Sequence, residues 1–267
     1  MHPLLLALII IVSLFVVISL ASIIICSVVF KRVFAREDWV ENTPFISYAE
    51  MPYDFPRKEY SFKSKGNRIQ AYLYGESNTK GFIVYAHGLV PGHEGYISDI
   101  YSLVKRGYQV FTYDFGGTGK SEGKSVNGVN GQEFDLYACL KFLESSDEFK
   151  DKNILLYGHS MGAYGVAMNI NKSERIKGVV SISGFETPIK EMQFFVTKGK
   201  GKIANLIFFY PLWIYTLFKQ GLHHNDNAVK EISNSEVPIL VIHGNEDEIV
   251  GYKEASILIT KEERLWW

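Results

Sequence analysis

The most extended hydrophobic signal lies at the amino terminus, where Leu4 to Phe30 runs for 27 residues without Asp, Glu, Lys, Arg, Gly or Pro. At about 1.5 Å per residue such a helix reaches roughly 40 Å, more than the hydrocarbon core of about 30 Å. The run predicts one membrane-spanning helix over residues 4–30. A cleaved signal peptide fits poorly, because such peptides have a basic start and a shorter apolar region, and this chain opens Met-His-Pro. A lipidated Cys26 also fits poorly, since Ile23, Ile24 and Ile25 precede it where a small residue is needed. Lys31, Arg32 and Arg36 follow the run and no Lys or Arg precedes it, which predicts that the remainder of the chain is cytoplasmic.

Residues 31–58 hold three prolines and mixed charges without periodicity, the pattern of a juxtamembrane connector. From Glu59 onward, β-rich apolar runs alternate with helical patterns. Strands are predicted at 59–64, 69–74, 81–86, 108–113, 153–158, 176–183 and 237–243. Three of them, around Phe82–Ala86, Ile154–Tyr157 and Ile239–Ile242, are continuously apolar, as parallel strands covered on both faces must be. Ile97, Ile100, Tyr101 and Val104 make one helical stripe, Leu136, Cys139, Leu140 and Leu143 a second, and Tyr252, Ala255, Ser256 and Ile259 a weaker third. Asn130 with Glu133 reads as a capping pair opening the second helix. The alternation predicts an α/β fold with a mainly parallel, doubly wound sheet over 59–267. Residues about 185–232 interrupt it, with a 16-residue apolar run from Ile203 to Phe218 that contains Pro211. That run is shorter than the roughly 20 residues a span needs, so a helical lid is the favoured reading over a second span.

Composition narrows the partners. With 28 basic and 29 acidic residues and a net charge of -1, no basic surface for nucleic acid is indicated. Two cysteines, Cys26 and Cys139, build neither a disulfide framework nor a thiolate metal site, and no metal or organic cofactor is expected.

The chemistry concentrates at strand ends. Gly158-His159-Ser160-Met161-Gly162 follows one predicted strand and precedes a helix, the setting of a nucleophile elbow with Ser160 at its tip. Gly158 and Gly162 leave room beside the nucleophile and permit positive φ. His87-Gly88-Leu89 follows strand 81–86, so the Leu89 and Met161 amides are the candidate oxyanion donors. His87 and His159 are expected to shape their loops rather than carry protons. Strand 237–243 leads into Gly244-Asn245-Glu246-Asp247-Glu248, which offers Asp247 as the triad acid, with Glu246 and Glu248 as alternatives.

These segments together with Tyr113-Asp114-Phe115-Gly116-Gly117-Thr118-Gly119-Lys120-Ser121 resemble the α/β-hydrolase superfamily, in particular its monoacylglycerol-lipase and serine-aminopeptidase-like, or lysophospholipase-like, branch. The resemblance spans about residues 59–260. It implies a serine hydrolase working through an acyl-enzyme on Ser160, with a small-molecule or lipid ester as substrate. It leaves open a peptidase, a thioesterase, or an inactive membrane-tethered binding protein, and it does not fix the oligomeric state. The apolar lid suits an acyl substrate and would serve equally to pack on the core. In this fold the catalytic histidine follows the acid by roughly 25 to 30 residues. None follows His243 here, and His2, His87, His93, His159, His223 and His224 are poorly placed for the role. The catalytic histidine, a final strand and its helix are therefore expected to belong to a protein some tens of residues longer, and turnover by this chain to be low.

Overall fold

The computed structural model describes residues 2–39, 45–126, 128–198, 201–253 and 255–260. Seven strands form one sheet, ordered β1 (Arg57–Ser64), β2 (Asn67–Tyr74), β4 (Tyr108–Tyr113), β3 (Gly81–Ala86), β5 (Ile154–His159), β6 (Ile176–Ile182) and β7 (Ile239–Ile242). β2 is antiparallel to β1 and to β4, and every other neighbouring pair is parallel. All seven predicted strands are present.

The pleat distributes the core to both faces. On β3, Ile83 and Tyr85 enter a cluster with Ile97 and Ile100 of α2 (Ile97–Lys105), while Phe82, Val84 and Ala86 enter the larger one. That larger cluster takes Leu136, Cys139, Leu140 and Leu143 from α3 (Gly131–Ser145), the stripe read from the sequence. It also takes α4 (Met161–Met168), whose eight residues are all buried.

Two local expectations are corrected. Asn130 precedes α3 with φ -96° and ψ 7°, not the extended geometry of a cap, and its side chain makes no capping bond; only its carbonyl accepts from the Glu133 amide, at 3.1 Å. The weak stripe at Tyr252–Ile259 does not form an α-helix: turns lead to a short 3-10 segment, Ile257–Thr260, pinned by the Ile257 amide on the Gly184 carbonyl at 3.1 Å.

Between β6 and β7 lie α5 (Pro188–Thr197), α6 (Gly201–Gln220) and α7 (Ala228–Ser233). α6 continues through Pro211 as one helix. At the amino terminus, α1 (Pro3–Val33) is the one described helix long and apolar enough to cross a membrane. Its side chains are almost all exposed to Ala21, after which Ser22, Cys26 and Phe30 form a buried row against α6. β1 and β7 are the edges of the described sheet, and on β7 Leu240 and Ile242 are about half exposed.

Candidate active site

Ser160 is forced into an unusual backbone conformation, φ 55° and ψ -118°, between the end of β5 and the first turn of α4. A non-glycine residue there stores roughly 1–3 kcal/mol of strain, which the surroundings must hold. The Ser160 amide donates to the Ile182 carbonyl at 2.8 Å and its carbonyl accepts from Tyr164 at 3.1 Å. Positive φ falls on the serine itself, so the flanking glycines act by size alone. A Cβ on Gly162 would collide with the Ala86 carbonyl, and one on Gly158 with the Gly162 carbonyl. Strand and helix thus cross closely enough to lift the hydroxyl above the carboxyl end of the sheet.

The loop after β3 comes to the same place. A Cβ on Gly88 would lie 3.2 Å from the Ser160 Cβ. His87 is fully buried; its Nδ1–H donates to the Gly88 carbonyl at 2.7 Å, its ring stacks on Phe115, and Gln132 of α3 donates to its carbonyl at 2.7 Å. Burial lowers its pKa to about 4, so it is a neutral loop former. Tyr96 donates to His159 Nδ1 at 2.6 Å, which occupies that ring nitrogen. Leu89 and Met161 both line the cavity at Ser160. As the first residue of α4, Met161 has an amide without an intrahelical acceptor, the type of donor an oxyanion needs.

Asp247 lies beyond β7, where its carboxylate accepts from the Ile249 and Val250 amides, each at 2.9 Å, and from the Ser183 hydroxyl. Burial opposes ionisation, but these bonds together with nearby His243 outweigh it and hold the carboxyl below its usual range. Glu248 instead points outward to Lys198 at 3.0 Å, and Glu246 is exposed. The remaining histidines are occupied elsewhere. His243 donates from Nε2 to the Val250 carbonyl at 3.0 Å, His93 is sandwiched between Asp114 and Tyr74, His223 pairs with Asp226, and His224 bonds the Gly221 carbonyl. Among the described residues no imidazole is hydrogen-bonded to the Ser160 hydroxyl. Glu133, His223 and Asp226 are one described grouping with metal-type donor atoms, and none of the three lines the Ser160 cavity.

Residues 77–208 match the family described as serine aminopeptidase, S33. The chain is 24% identical over 200 residues to the lysophosphatidylserine lipase ABHD12 of Danio rerio, covering 73% of this chain and 47% of that protein. It is 23% identical over 218 residues to the uncharacterised protein YfhR of Escherichia coli, covering 79% and 69%. A solved esterase of Pyrococcus furiosus, Pf2001, superposes with a TM-score of 0.60 at 22% identity, covering 83% of this chain and 81% of that one. The chain belongs to the α/β-hydrolase superfamily. Within it, the likeness is to the lysophospholipase-like branch.

In this α/β-hydrolase the serine opens into a cavity of about 70 Å³ whose wall is apolar, formed by Val33, Phe34, Leu89, Val129, Met161, Phe185, Met192, Phe195 and Ile249. Glu191 of α5 is the polar exception beside Ser160. Its side chain is buried, one oxygen has no partner, and burial together with the charge of Asp247 pushes its pKa up to about 8. At neutral pH the hydrolase thus sets a neutral carboxylic acid in the wall, able to donate a hydrogen bond. Sequence reasoning missed three contributors: Glu191, Ser183 and the Val33–Phe34 pair. Glu191 had a signal, since it shares a helical face with Pro188, Met192 and Phe195. Nothing local distinguished the other two.

Proposed function

We propose that this α/β-hydrolase is a membrane-anchored serine hydrolase cleaving carboxylic esters with apolar acyl groups, through an acyl-enzyme on Ser160. The observation that carries the reading is the Ser160 elbow, strained and glycine-flanked, opening into an apolar cavity. The Ser160 oxygen attacks the ester carbonyl and its proton passes through a base to the departing alkoxide; water then attacks the acyl-enzyme and releases the acid. Leu89 and Met161 amides hold the oxyanion, and Asp247 orients and charge-stabilises the imidazole that serves as base. The α/β-hydrolase resemblance assigns that imidazole to a position after Asp247. α1 holds the domain at the bilayer, with the domain on the cytoplasmic side, and the reaction uses no metal.

A second reading is favoured by one observation: no described imidazole reaches Ser160, as expected of a membrane-tethered binding protein with a hydrolase fold. A fluorophosphonate probe separates the two. The enzyme reading expects covalent labelling that disappears in Ser160→Ala. No labelling of the parent chain supports the binding protein.

A further inference from the structure

The cavity at Ser160 is closed on one side by the amino-terminal helix. Val33 is the last residue of α1 and Phe34 its C-cap, and both line the cavity with Ser160. We propose that this helix end is a specificity-determining wall of the substrate site, and that the substrate is a bilayer-resident acyl ester whose chain reaches Ser160 along the junction of α1 and α6. The proposal rests on Ser160 being the nucleophile.

The helix end is fixed to the domain, not loosely tethered. Phe34 is 3% exposed, and its carbonyl accepts from the Val126 amide at 3.1 Å. Ala35 bridges to Ser125 and Glu37 to Thr118 in strand fashion. Arg36 then spends its guanidinium on the carbonyls of Gly119, Ser121 and Gly123, at 2.8 to 2.9 Å. Four consecutive positions after α1, Phe34 to Glu37, are thus tied to the loop that follows β4. The position of Val33 and Phe34 relative to Ser160 is set by main-chain bonds.

The same helix sets the depth. Pro3 to Ala21 leaves nearly every side chain exposed, a stretch of roughly 28 Å that matches a hydrocarbon core of about 30 Å. Beyond it Ile24, Ile25 and Val28 remain exposed on the side away from α6, and Lys31 and Arg32 follow. Val33 lies 12 residues and so about 18 Å past Ala21, which sets the cavity at the membrane surface, and a substrate chain leaves the hydrocarbon core along the α1–α6 junction to reach it. α6 continues the surface outward. Phe30 packs on Tyr215 with ring centres 5.5 Å apart, while Ile207, Tyr210, Ile214 and Phe218 of α6 form an exposed stripe at helical spacing. An apolar stripe continuous with the anchor fits an interfacial bed in the bilayer. The cavity itself, about 70 Å³, is little more than twice a water molecule's share of liquid, about 30 Å³. It encloses the ester and the adjoining carbons, and the rest of an acyl chain lies outside it along this apolar junction.

The test uses the full chain in phosphatidylcholine vesicles containing a monoacylglycerol with a diazirine beside its ester. Cross-links at Val33 or Phe34 and at Met192 or Phe195 are expected, mapped by mass spectrometry, and this readout needs no turnover. In parallel, Ser160 is labelled with long-chain and short-chain alkyl fluorophosphonates. Phe34→Trp is expected to lower the ratio of long- to short-chain labelling rates at least fivefold, and Phe34→Ala to raise it. Folding of both variants is checked by near-UV circular dichroism, with Val33→Trp as a second filler. Cross-links confined to residues 4–28, or an unchanged chain-length ratio in all folded variants, overturn the proposal. Absence of Ser160 labelling with cross-links at Val33 and Phe34 retained rejects the nucleophile reading while leaving the lipid-contacting wall in place.

Discussion

At the scale of single residues, the site separates two carboxyl groups by their surroundings. Asp247 receives two amides and a hydroxyl and stays ionised, whereas Glu191 receives too few bonds to offset its burial and stays protonated. An unfolded glutamate ionises near pH 4.3, so between about pH 4.5 and 8 the folded chain keeps a proton that the unfolded chain has lost. Glu191 therefore makes stability fall as pH rises through that window, with the full penalty above about pH 8. Glu191→Gln keeps the shape without the charge. Its melting temperature should equal that of the parent near pH 4.5 and exceed it increasingly toward pH 9, read by thermal scans in detergent. Equal curves at all pH values would show that Glu191 is ionised in place. His87 is buried with its Nδ1–H on a carbonyl and His159 accepts from Tyr96, partners that fit the loop-shaping role expected of both. Their places at strand ends were legible in the sequence. The protonation of Glu191 was not, because it depends on which neighbours α5 meets when it packs.

At the scale of elements, the elbow is decided by backbone contact. β5 and α4 cross so closely that Gly162 rests on the Ala86 carbonyl of β3, which couples the Ser160 turn to the Gly88–Leu89 loop that follows that strand. Gly162→Val therefore has no side-chain neighbour to displace and must move main chain. A loss of about 3 kcal/mol or more is expected, with Ser160 labelling lost in step, measured by chemical denaturation alongside probe reactivity. Ser160→Ala, by contrast, adds no bulk and should leave the denaturation midpoint nearly unchanged. Comparable losses for both would place the strain at Ser160 and not in the crossing. Strands were legible because their cue, a continuous apolar run, is local and period-independent. The Asn130 cap and the last helix were misread because capping and short helices depend on what the neighbouring segment offers: Asn130 follows a turn, and Ile257–Thr260 is anchored to Gly184 instead of closing its own α-helical turns.

At the scale of the whole molecule, α1 and the hydrolase domain are one packed body from Ser22 onward. If α1 spans the bilayer, the chain should remain in the pellet on alkaline carbonate extraction. The domain should also resist protease added outside intact cells. Recovery in the supernatant rejects the anchor, and external digestion rejects only the orientation. The outer strand β7 adds a liability, since its Leu240 and Ile242 are half exposed at a sheet edge. The sequence by itself determined the apolar helix, the strand succession and the positions of Ser160, Leu89, Met161 and Asp247 along the chain, because hydropathy period, glycine spacing and motif order are properties of neighbouring residues. Only the tertiary structure decided that Val33 and Phe34 wall the serine cavity, that Ser183 supports Asp247, and that Glu191 stays protonated. Each of these joins groups at least 30 residues from Ser160 or from one another, and burial, the common cause, exists only once the elements have packed.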